Sequence, residues 1–201
     1  MKFTELSGRI SEMTFLFWMF FQYLILWLHP HGDDVEKIFF FAVLIGFEFI
    51  MCIAGVGLGA VAIERQWLFF IIFVAFFALF AAVFTHIAGT SYIMWIYVGL
   101  VISRLFNIFA TDAKAQELIL GQSALSLMLY FLIMVLVVTQ AKHIPIFGLS
   151  ESFLESVNYK ESVRIGGIFT EAPHISMCVG VLYYGIQLLG MLVKTVVKIV
   201  T

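Results

Sequence analysis

The sequence predicts an all-α integral membrane protein: a polytopic bundle of about six transmembrane helices, with one long outer loop carrying a short amphipathic helix. Three observations predict it. Of the 201 residues, 63% are hydrophobic and only 12% charged, where a soluble domain has roughly a quarter of its residues charged. The apolar residues gather in stretches of about 20, the length that crosses the hydrocarbon core of a bilayer as a helix. Those stretches are apolar on every face, whereas a membrane β-barrel shows segments of about ten residues with alternating polarity.

Six spans follow in order: Thr14–Leu28, Ile38–Ile63, Trp67–Ile87, Tyr92–Ala110, Gln122–Ala141 and His174–Ile199. The first is short. Phe3, Leu6, Ile10 and Met13 before it fall at helical spacing, which fits an amphipathic interfacial turn or an earlier start to the helix. No small-residue cleavage site follows this stretch, so it reads as a retained anchor rather than a cleaved signal peptide. Only Glu64, Arg65 and Gln66 separate the second and third spans, which suits a tight hairpin at the membrane surface. The outer loop, 142–173, holds "ESFLESVNYKESVRI", in which Phe153, Leu154, Val157 and Val163 recur among charges at roughly helical spacing. Pro173 then stands in the first turn of the last span, where its missing N–H costs nothing. No repeat or low-complexity run divides the chain, so 1–201 reads as one transmembrane helical domain.

Lys and Arg concentrate on the cytoplasmic side of membrane proteins. With the N-terminus inside, Lys2, Arg9, Arg65, Arg104, Lys114, Lys194 and Lys198 lie on or toward the cytoplasmic side, against Lys37, Lys142, Lys160 and Arg164 outside. The expected topology is therefore N-in and C-in. It puts His29, His31, His86, His143 and His174 all on the outer side.

Within the second span, Glu48 is the only charged residue. Cys52, Gly55 and Gly59 follow it at i+4, i+7 and i+11, which makes one helical stripe. Gly55 and Gly59 form a GxxxG, the spacing that lets another helix approach closely in lipid. The stripe reads either as a packing face with a hydrogen-bonded carboxyl or as a site of proton or ion chemistry. In the fourth span Arg104 stands beside Ser103, with Asn107 one turn on. A guanidinium in a span meets an anion or snorkels to the interface. Counting 1.5 Å per residue, the Glu48 and Arg104 Cα atoms differ in depth by ~5–10 Å, so a Glu48–Arg104 pair supported by Asn107 is one expectation and snorkelling the other.

Outside the bilayer, "HPHGDDVEK" packs His29, His31, Asp33, Asp34 and Glu36 into a short loop, and "FTEAPH" sets Glu171 one turn before His174, with Cys178 on the same face. Imidazole, carboxylate and thiolate are ligands for zinc or copper, so His29, His31, His86, Glu171 and His174 are candidate metal ligands. The spacing carries no HExxH and no CxxC, and a solvated turn beside a helix start with Glu171 at its positive end accounts for the same residues.

A net charge of −2 gives no basic field for nucleic acid. Neither a GxSxG nor a Gly-rich phosphate loop occurs, and "GVGLG" inside an apolar helix is a packing motif. No cofactor is predicted beyond the zinc or copper candidate. The reading that asks least of the sequence is a non-enzymatic membrane subunit or scaffold, partnered by the lipid bilayer and by a second copy or another membrane protein. The alternatives are a small transporter or channel using Glu48, Arg104 and Asn107, and an outward-facing metal-dependent membrane enzyme.

Overall fold

The computed structural model of the chain describes the backbone of residues 3–63, 66–110 and 113–200, with side chains for residues 10–61, 66–102, 116–118 and 120–193. The described residues form helices and loops, and no strand occurs among them. Among the described residues, five helices are long and apolar enough to cross a membrane, judged by length and composition. They are α1 (Phe3–Leu28), α2 (Val35–Ile63), α3 (Trp67–Ala88), α5 (Ala113–Thr139) and α9 (Pro173–Val200). The helix α4 (Tyr92–Ala110) has 19 residues, of which Tyr92–Ile102 is the shorter apolar part with described side chains.

Two helices start well before the apolar pattern does. α1 begins at Phe3 rather than Thr14, and α5 at Ala113 rather than Gln122. Both extensions mix polar with apolar residues and include good helix formers, "KAQEL" for example, so the helix propagates past the hydrophobic boundary. α1 stops where His29 precedes Pro30, since a residue before proline avoids helical backbone angles. α3 ends at Gly89, whose left-handed φ of 68° lets its N–H reach the carbonyls of Thr85 and His86.

The expected amphipathic helix of the loop is in fact two short helices, α6 (Glu151–Ser156) and α7 (Tyr159–Ser162). Ser150 caps the first, its Oγ accepting from the Phe153 N–H. Asn158 then breaks the run at φ 52°, a conformation asparagine tolerates better than most residues. A single turn, α8 (Ile168–Glu171), leads into α9.

The chain divides into two compact units, residues 1–42 with 133–201 and residues 43–132. In the first, α1 packs along α9, and Gly180 makes this possible. A Cβ there would lie 2.3–2.5 Å from the Tyr23 ring. Tyr23 is fully buried, stacks on Tyr184 at 5.8 Å and meets Phe41 edge-on at 4.9 Å. In the second unit Leu58 and Phe70 anchor a core with Val61, Phe73, Val74 and Leu100, while Phe47 packs on Phe84. The outward faces are apolar: Leu79 is 64%, Trp95 68% and Met128 70% exposed. Water would penalise such faces heavily, whereas lipid does not.

Candidate functional site

Inside the second unit, the stripe of α2 meets α5. Tyr130 is completely buried, and its hydroxyl donates to the Ile45 carbonyl at 2.8 Å while lying 3.3 Å from Glu48 Oε2. Phe49 stacks beside it, 6.1 Å from the Tyr130 ring. Further along, a Cβ on Gly59 would lie 3.2 Å from Leu120 Cδ1, and Gly55 is buried. Glu48 and Cys52 are half-buried. As the α2 number rises from Glu48 to Gly59, the α5 partner falls from Tyr130 to Leu120, so the two helices run antiparallel along this stripe.

Arg104 and Asn107 lie in α4, but their side chains are outside the described residues, and so is any pairing of Arg104 with Glu48. The residue that sequence reasoning missed is Tyr130. A signal for it exists: a hydroxyl in the middle of "LMLYFLIMV" has no water to turn to and must find a protein acceptor. The same logic covers two further tyrosines. Tyr23 Oη donates to the Phe41 carbonyl at 3.4 Å, and Tyr97 Oη donates to that of Val74. Each joins two helices through a backbone oxygen, which has a second lone pair even when its helical bond is made.

The other candidate residues except His86 sit at one end of the first unit, where α1 stops, α2 and α9 start and α5 runs out. Asp34 organises the connection between α1 and α2. Its Oδ2 accepts from the His31 N–H at 3.0 Å, and its Oδ1 accepts from Lys37 Nζ at 2.7 Å. The hydrogen bond from Lys37 leads in holding the Asp34 carboxyl below its ordinary value, against the opposing effect of burial. His31 Nδ1 is 3.7 Å from the same carboxylate. Glu36 pairs with Arg164 at 3.6 Å, and that guanidinium lies 6.0 Å from the Phe39 ring centroid.

The loop is pinned to the helices beneath it. Trp27 Nε1 donates to the Pro145 carbonyl at 3.0 Å, and the Gly148 N–H donates to the Trp27 carbonyl at 3.0 Å. Tyr159 is buried, its hydroxyl donating to the Thr170 carbonyl at 2.8 Å, and burial pushes its phenol pKa well up. Ser176 of α9 donates to the Phe169 carbonyl at 2.5 Å.

Of the metal-ligand candidates, His29 and His31 are exposed, Glu171 accepts from the Gly167 N–H at 3.3 Å, and His174 is half-buried. His86 is exposed near the end of α3 in the other unit. Among the described residues, no group of three or more His, Cys, Asp or Glu side chains gathers as metal ligands do. Chemically, the arrangement of described residues is a set of interhelical hydrogen bonds inside the apolar region and a latched polar rim at one end. No protein-family model, no curated protein and no solved structure matches this chain.

Proposed function

We propose that the chain is a polytopic membrane protein acting as a non-catalytic subunit or scaffold, with its N- and C-termini cytoplasmic. The observation that carries this reading is the contact of Glu48 with Tyr130. The buried Tyr130 hydroxyl bonds α5 to α2 through Ile45 with the Glu48 carboxyl 3.3 Å away, the role expected of polar groups that hold helices together in lipid.

Six crossings are favoured over five by a parity argument. Trp27 near the end of α1 touches Pro145 just after α5, and Glu36 at the start of α2 pairs with Arg164 of the same loop. The start of α2 and the end of α5 are therefore on one side of the bilayer, and an even number of crossings must connect them. α2, α3 and α5 supply three, so α4 makes the fourth. Its 19 residues span ~28 Å, close to the ~30 Å hydrocarbon core. In this reading all five histidines share the side on which α1 ends.

The experiment compares purified protein in proteoliposomes with and without Glu48→Gln. A scaffold leaves both equally tight to protons and small cations while the variant remains folded. A flux present in the unaltered protein and lost with Glu48→Gln refutes the scaffold reading and supports a transport path through Glu48.

A further inference from the structure

The turn after α5 has an unusual construction. Leu149 N–H donates to the Ile146 carbonyl at 3.1 Å, which closes a tight turn over Ile146–Leu149. Phe147 occupies it at φ 47°, a left-handed conformation that bulky residues rarely adopt. Gly148 clamps it in place. A Cβ there would fall 2.3 Å from Pro30 Cδ and 2.7 Å from the Leu28 carbonyl oxygen.

The product of this arrangement is an apolar tip aimed outward. Ile146 is 47% and Phe147 52% exposed, while Leu149 next to them is buried. The tip lies against the last turn of α1, with the Phe147 ring 5.0 Å from that of Trp27. It is thus level with the end of an apolar helix, the depth at which aromatic side chains collect in membrane proteins. Val135, Leu136 and Val138, exposed near the end of α5, bring an apolar surface up to the same level. Lys142, exposed, stands just before the turn, where lipid phosphates would attract its positive charge.

We propose that this turn is a lipid anchor, which inserts Ile146 and Phe147 into the boundary between headgroups and acyl chains of the leaflet where α1 ends. The strained backbone at Phe147 is the means of presenting the ring to lipid rather than to the protein core. The anchor rests on the membrane reading of the chain, and the test separates the two.

In a Cys52→Ala/Cys178→Ala background, single cysteines are introduced as Phe147→Cys, Ile146→Cys, Leu79→Cys and Glu155→Cys. Each full-length variant is labelled with a nitroxide and reconstituted into phosphatidylcholine/phosphatidylglycerol vesicles. Collision with oxygen, which concentrates in acyl chains, is compared with collision with a water-soluble nickel chelate. The labels at 147 and 146 are expected to show an oxygen-to-nickel ratio several-fold above that at 155 and below that at 79. Ile146→Cys keeps the result decisive if Phe147→Cys disturbs the turn. Labels at 146 and 147 that match 155, or that are shielded from both reagents, overturn the anchor while 79 still reports lipid. A water-like label at 79 overturns the membrane reading itself, and the anchor with it.

Discussion

Tyr130 lends its one hydroxyl proton to the backbone carbonyl of Ile45 at 2.8 Å, within 3.3 Å of Glu48 Oε2. The contact joins α2 to α5 in the apolar interior of one compact unit. Removing the hydroxyl with Tyr130→Phe keeps the ring and deletes the bond. Interhelical hydrogen bonds in membranes are worth about 0.6 kcal/mol on average and up to about 1.7. Tyr130→Phe should therefore lower unfolding stability in mild detergent by ~0.5–2 kcal/mol. Denaturant titration followed by circular dichroism measures it, and an unchanged midpoint would show that the bond contributes nothing.

Gly180 and Gly190 make a matched pair on α9. A Cβ on Gly180 would overlap the buried Tyr23 ring, while one on Gly190 meets nothing within 4 Å. Overpacking of this kind costs ~1–3 kcal/mol or more, because Tyr23 is itself held against Phe41 and Tyr184. Gly180→Ala should sharply reduce the thermal midpoint and the yield of monodisperse protein. Gly190→Ala should leave both unchanged or slightly raised, since alanine is the better helix former. Equal behaviour of the two variants would contradict the packing of α1 against α9.

Asp34 gives a pH dependence with a definite sign. Its folded-state pKa is lowered, first by the hydrogen bond from Lys37. The stability it contributes is present above the ordinary aspartate value and is lost as pH falls through the lower folded value. Asp34→Asn keeps an acceptor for the His31 N–H but loses the ion pair with the exposed Lys37, so it should cost ~0.2–1 kcal/mol near neutral pH, and this difference should shrink below about pH 4. Thermal melts of both proteins from pH 3 to pH 7 test it. A constant gap across that range would mean that the carboxylate charge plays no part.

If α4 crosses the bilayer, the connections before α2 and after α5 share a side. Cysteines placed by Asp33→Cys and Lys142→Cys, each alone in a chain lacking Cys52 and Cys178, should react with a membrane-impermeant maleimide from the same side of sealed vesicles. One at Lys114→Cys should react from the opposite side. Were positions 33 and 142 to label from opposite sides, α4 would not cross and the six-pass topology would fail.

Much of the helical layout was legible because hydrophobic length is a strong signal: the predicted bounds of the second, third and fourth spans differ from α2, α3 and α4 by no more than a few residues. The start of α5 was not, because helix propensity outruns the apolar pattern that marks a span, whereas the earlier start of α1 was one of the two readings its helical spacing offered. Asn158 broke the loop helix where its hydrophobic spacing ran on unbroken. Glu48 stood out as the lone charge of the second span, whereas its contact with Tyr130 depends on which helix lies alongside, and periodicity carries no information about that. The division into two units cuts α2 and α5 in mid-helix, where no change of composition could mark it.

Three buried tyrosines, Tyr23, Tyr97 and Tyr130, reach the main-chain oxygens of Phe41, Val74 and Ile45. Every residue type offers such an oxygen, so the two ends of each bond differ in how freely they tolerate replacement. Val74 and Ile45 answer to volume and helix formation, and a saturation screen for folded protein should accept many apolar residues there, whereas Phe41 also packs its ring edge-on against Tyr23. At the tyrosines the same screen should reject even phenylalanine more often than size alone would dictate. An error on the carbonyl side of such a link leaves the bond itself intact and one on the tyrosine side deletes it, so these three links tolerate drift at one end far better than at the other.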